Sequence, residues 1–188
     1  MPLTNRFGTT RQARPLSDEG ADRSPRESAD ACYQAGLSLL GYRARTEAEM
    51  RQRLSRKGFG ETEIEATVTR LKASGLIDDA AFAKAWSDNR TSGSPRSAYI
   101  IKRELKPKGI DTDTADEAVA SIDDSEAAVR AARPRLKRLQ SLPPEEARRK
   151  LADFLRRRGF NWNVIERTLA GLKADDTQDD NDSNKNTG

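Results

Sequence analysis

A chain of 188 residues with 34 basic and 30 acidic side chains, net charge +4 and no histidine has no means of building Ser-His triads, histidine metal sites or imidazole acid–base catalysis. A single cysteine, Cys32, rules out an internal disulfide, and no apolar run is long enough for a signal peptide or membrane helix. The expectation is a cytoplasmic, monomeric, non-enzymatic protein without cofactor or metal; with 34% charged against 35% hydrophobic residues, it should be built of thin helical modules rather than one compact core.

Residues 1–29 mix Arg, Ser, Pro, Gly and acids without a period and read as a disordered arm, solvated unless its arginines meet a polyanion. From Ala31 to Gly41, helical spacing of Cys32, Ala35 and Leu39, with Leu37 and Leu40 alongside, predicts a short helix. Arg43 and Arg45 in the following turn are linker residues or anion contacts. Thr46 with Glu49 then marks a helix start, Met50 and Leu54 share one face, and Gly58 supplies the left-handed stop after which Phe59 folds back. Ile64, Val68 and Leu71 form the next stripe, with Thr62 and Glu65 as its expected capping box.

Gly75 ends that helix, Leu76-Ile77 should tuck into the core, and Asp78 or Asp79 starts a helix carrying Phe82, Ala83 and Trp86. The paired carboxylates suit a helix N-terminus better than a metal or acid–base site. Ser92-Gly93-Ser94-Pro95 breaks the helix, Ser97 caps a helix with Ile101 and Leu105, and Pro107 should loosen or kink its last turn. Beyond Gly109 come Ile110, Ala115, Val119 and Ile122, with Asp113 and Asp116 in the capping register. Val129, Ala132, Leu136 and Leu139 make the stripe of a helix that Pro134 should kink, and Pro144 suits the first turn of another. That helix holds Leu151 and Leu155 before Gly159 and Phe160; Asn163 and Glu166 then precede Ile165, Leu169 and Leu172 as a start signal, and an acidic, disordered tail follows.

These elements repeat. Leu54, Leu105 and Leu155 each stand four residues before Gly58, Gly109 and Gly159, a period of 51 and then 50, and seven apolar or glycine columns agree three times. The fold class is all-α: tandem three-helix repeats over 31–74, 78–122 and 124–172 in an elongated curved array, between disordered termini at 1–29 and 173–188.

Charge is unevenly placed. Arg130 to Arg158 contains eleven basic residues against three acids, a density that attracts phosphates or an acidic protein face. Arg56-Lys57, Lys108 and Arg157-Arg158 equally suit helix C-termini, where cations complement the dipole. Phe59, Trp86, Phe160 and Trp162 are expected in the core rather than as base-stacking platforms.

The stretches RTEAEMRQRLSRKGF, IEATVTRLKASGLIDDAAFAKAW, IKRELKPKGI and FLRRRGF give residues 31–172 a specific resemblance to the RecX family, regulatory proteins of the bacterial recombinase RecA. The resemblance implies a negative regulator in DNA repair, homologous recombination and the SOS response. It would bind the RecA filament on single-stranded DNA in its groove and inhibit filament extension, ATP hydrolysis and strand exchange. Candidate contacts with RecA or DNA are Arg51, Arg53, Arg56, Lys57, Arg103, Lys106, Lys108, Arg148, Arg149, Arg156, Arg157 and Arg158. Two other readings stay open: a DNA binder without sequence specificity, single- or double-stranded, acting through the basic face, and a plain helical scaffold.

Overall fold

The computed structural model describes the backbone of residues 25–93 and 95–183, with side chains from 27 to 172 apart from 94. Its described residues form α1 (Pro25–Tyr42), α2 (Glu47–Ser55), α3 (Glu61–Ala73), α4 (Asp79–Ser92), α5 (Ala98–Leu105), α6 (Thr112–Val119), α7 (Asp124–Lys137), α8 (Pro144–Arg157) and α9 (Trp162–Ser183). No strand occurs among them. Helices pack in consecutive threes, and each three encloses its own core. Met50, Leu54, Ile64, Val68 and Leu71 with Cys32 fill the first, and Ile101, Leu105, Ile110, Ala115 and Val119 with Ala83 the second. Leu151, Leu155, Phe160, Val164, Ile165 and Leu169 fill the third against an alanine stripe on α7. The apolar columns that define the repeat are therefore core positions, with Phe59 and Ile122 only partly buried, and each fully buried aliphatic side chain contributes roughly 1.5–3 kcal/mol.

The corner between the second and third helix is the same in all three repeats. Gly58, Gly109 and Gly159 take φ of 87, 80 and 86°. The N–H of the next residue, Phe59, Ile110 or Phe160, reaches back 3.3–3.4 Å to the carbonyl of Leu54, Leu105 or Leu155. This closes the helix with a left-handed glycine and an apolar residue folded over its end. Pro107 lies in a 3-10 turn over Lys106–Lys108 that ends α5, where a loosened or kinked end was expected. At Pro134, α7 continues without interruption.

Several expectations are corrected. The third-helix caps are Gly60, Asp111 and Asn161, two residues before Thr62, Asp113 and Asn163, because the glycine corner needs only one further residue before the next cap. Asp111 and Asn161 accept the amides of Thr114 and Val164 at 2.9 Å, while Gly60 offers no side-chain cap. On α7 the buried residues are Ala127, Ala128, Ala131 and Ala132, and Val129 is only half-buried, since small side chains suit a helix held against two others. Ile77 is buried but Leu76 is exposed, and Trp162, expected in the core, is 61% exposed at the start of α9. Residues 25–29, assigned by composition to the N-terminal arm, belong to α1, where Pro25 suits a first turn. The rest of that arm, 1–24, lies outside the described residues, as do 184–188 of the tail; α9 itself runs past Leu172 to Ser183.

The three corners differ in surroundings. A Cβ on Gly58 would meet nothing within 4 Å, whereas on Gly109 it would overlap Ala48 of the preceding repeat, and on Gly159 it would overlap Ile100 and Ser97. Gly58→Ala should therefore cost only the left-handed backbone penalty, about 1–2 kcal/mol. Gly109→Ala and Gly159→Ala should lower the denaturant midpoint further, because the repeats must also separate; equal losses at all three sites would contradict this.

Candidate functional site

The second helices α2, α5 and α8 carry all twelve candidate cations within or just beyond their ends, and the junctions between repeats place these helices end to end. At the α2 N-terminus, Thr46 accepts the amide of Glu49 at 3.1 Å and donates its own hydroxyl to the carbonyl of Lys108 at 2.6 Å, in the corner after α5. The amide of Glu47 donates to Asp79, the first residue of α4, at 2.9 Å. The next junction reuses the plan. Ser97 caps α5, its amide donates to the carbonyl of Arg158 at 3.1 Å, and the amide of Ala98 donates to Asp124, the first residue of α7, at 2.9 Å. Each helix N-terminus thus has orphan amides satisfied by a carboxylate from the following repeat. Of the paired acids at the start of α4, Asp78 is the cap of its own helix and Asp79 the link to α2.

These junctions divide the candidates. Arg51 pairs with Glu47 at 3.0 Å and Glu65 at 2.6 Å, and Arg148 with Glu166 at 3.1 Å, so both brace their own repeats. Lys108 lies 4.2 Å above the Trp86 ring and 3.5 Å from Glu49 across the first junction. Arg158 lies 4.5 Å from the Phe154 ring and donates to the carbonyl of Pro95 across the second. Arg53, Arg56, Lys57, Lys106, Arg149 and Arg157 are exposed and make no ion pair among the described residues. Arg103 lies 5.7 Å from the ring of exposed Tyr99. Arg156 meets Asp153 at 3.3 Å, but at 72% exposure such a pair contributes little and leaves the cation available. Composition gave no means of separating bracing arginines from free ones. Sequence reasoning also missed Glu104, which collects Arg90, Arg96 and the indole N–H of Trp86 and ties α4 to α5.

The carboxylates at these braces are perturbed as their partners require. Burial pushes the Glu49 carboxyl up, but the hydrogen bond and charge of Arg43, with Lys108 beyond, hold it below its ordinary value. Glu104 is likewise pushed up by burial and pulled lower overall by Arg90, Trp86 and Arg96. Asp79 goes the other way, since burial outweighs the amide it accepts. No cluster of three or more Cys, Asp or Glu side chains arranged to hold a metal ion occurs among the described residues, and no described helix is long and apolar enough to cross a membrane.

The three structural repeats coincide with three family descriptions: RecX first three-helix domain at residues 32–71, second at 78–119 and third at 123–169. The chain is 33% identical to a regulatory protein RecX of Amycolatopsis mediterranei over 84% of its length and 94% of that protein's. It is 38% identical to one of Mycobacterium avium, over 74% of this chain and 83% of that one. The crystal structure of RecX from Lactobacillus salivarius superposes with a TM-score of 0.71 at 24% identity, covering 79% of this chain and 99% of that chain, which supports the shared fold.

Glu49 makes the first junction acid-sensitive. With its folded value depressed, its contribution is complete above the ordinary glutamate value of about 4.3 and is lost as pH falls through the lower folded value. Glu49→Gln should cost ~1 kcal/mol at pH 7 and progressively less below pH ~4. Chemical denaturation of both proteins across pH reads this, and a difference that does not change with pH would exclude Glu49 as the source.

Proposed function

The chain belongs to the RecX family of regulatory proteins, and from that premise we propose that it is a negative regulator of the recombinase RecA. It binds the RecA filament on single-stranded DNA, lies in the filament groove, and inhibits extension, ATP hydrolysis and strand exchange by occupancy. The observation that carries this reading is the run of exposed cations without ion-pair partners among the described residues, on or just beyond three second helices that abut end to end: Arg53, Arg56 and Lys57, then Lys106, then Arg149 and Arg157. Contacts spread over three linked modules sum many weak polar interactions into useful affinity, as a helical groove with repeating subunits requires. Arg51 and Arg148 serve chiefly to brace their own repeats, and Lys108 and Arg158 to hold neighbouring modules in register. No step of this action needs catalysis, and its setting is the bacterial cytoplasm.

A second reading is favoured by one feature, the exposed arginines Arg130 and Arg133 on α7 and Arg138 just beyond it, which suit binding to bare DNA without a protein target. Salt separates the two, because phosphate binding falls steeply on a log–log plot whereas a filament regulator prefers the RecA-coated strand.

RecA ATP hydrolysis on single-stranded DNA, titrated with this protein, should fall at ratios far below one per RecA while bare DNA binds weakly. Reversing Arg56, Lys57, Arg156 and Arg157 to Glu should weaken inhibition at least about tenfold with helicity unchanged. Inhibition that appears only once the DNA is coated would transfer the function to DNA competition, and inhibition indifferent to the reversals would remove these residues from the contact surface.

A further inference from the structure

The two junctions share a backbone plan but not a charge balance. In the first, the cation preceding the corner glycine, Lys108, faces Glu49, and Arg43 meets the same carboxylate at 2.8 Å. In the second, Arg158 takes the place of Lys108, and the position of Glu49, nine residues before the glycine of its own repeat, is occupied by Ile100. The carboxylate is gone, yet basic residues accumulate. Arg130 and Arg135 of α7 and Arg138 just beyond it line a pocket of about 240 Å³ together with Arg158, the Phe154 ring of α8, and Gly93 and Pro95 before α5. No acidic side chain lines it among the described residues. Inside, the Nε of Arg135 is buried without an acceptor. A buried donor left unmatched is costly, and such groups mark places where a partner belongs.

We propose that this pocket is an anion site for a phosphoryl group, which supplies at the second junction the negative charge that Glu49 supplies at the first. Guanidinium forks brought from two helices match a tetrahedral group offering several oxygens better than the single plane of a carboxylate. At about 240 Å³ the pocket falls below the usual range for whole small-molecule ligands, so it takes the phosphoryl end of a larger molecule or a small phosphate. The bound group bridges α7 and α8 of the third repeat to Gly93 and Pro95 of the second and thereby stiffens the junction. The inference goes beyond the filament reading and stands without it, since it concerns a site between repeats and not the exposed cations of the second helices.

The test is calorimetric titration of the full chain with pyrophosphate, and separately with a short single-stranded oligonucleotide and an acidic peptide, at constant ionic strength in chloride. Saturable pyrophosphate binding is expected. The double variant R130Q/R138Q should weaken it at least about tenfold, with the thermal midpoint in chloride unchanged or raised. Ile100→Glu, which restores the carboxylate of the first junction, should also suppress binding, and R130Q/R138Q keeps the test decisive if that variant packs poorly against Gly159. Oligonucleotide binding weakened in parallel by R130Q/R138Q assigns the group to a nucleic-acid backbone; an unaffected oligonucleotide assigns it to free phosphate or a nucleotide. Pyrophosphate binding that is absent, that is unchanged in R130Q/R138Q, or that is weaker than binding of the acidic peptide overturns the proposal.

Discussion

The left-handed glycine that follows each second helix is the constraint on which the molecule turns. At Gly109 and Gly159 it does two things with one backbone conformation: it closes α5 and α8, and it lets that closed end come flush against the N-terminus of the second helix in the preceding repeat. A side chain there would hold the two ends apart. The approach brings a carbonyl-bearing end to an amide-bearing end, an arrangement favoured by both helix dipoles. Thr46, Ser97, Asp79 and Asp124 then supply the hydrogen bonds that make the junction specific.

This division of labour explains why so many charged residues are needed in a protein with such small cores. Each hydrophobic cluster is confined to one repeat, so cohesion between repeats rests on polar contacts, some partly buried, such as Lys108 with Glu49 and Arg158 with the Pro95 carbonyl. A cation stacked on an aromatic ring and hydrogen-bonded across a junction is a structural element rather than a binding group, although in the sequence it is one more basic residue in a basic run. The surface left for a partner is what remains after that internal demand is met.

Most of the fold was legible because periodicity reports burial directly. Met50, Leu54, Ile101, Leu105, Leu151 and Leu155 are core residues for the reason their spacing suggests. The misreadings arose where a local motif competed with a longer-range arrangement. Thr62 and Glu65 have the form of a capping box, yet the glycine corner restarts the chain two residues earlier. Val129 lies in the expected register on α7, but close helix packing selects the alanines beside it. Asp78 and Asp79 look equivalent and act on different helices. The candidate site was legible as a class of residue and not as a set: which arginine is spent on Glu47, Glu166 or a carbonyl depends on partners 4 to 63 positions away.

The two ends of the array are not alike. The first corner, at Lys57-Gly58, is bare among the described residues, whereas the last second helix, α8, is preceded at its cap by Pro143, which has neither a hydroxyl nor an amide hydrogen to offer a docking carbonyl. A second molecule presenting its bare corner there would find none of the contacts that Thr46 and Ser97 provide. A head-to-tail contact between copies would therefore have to be built from groups other than the hydroxyl and amide that join the repeats within one chain.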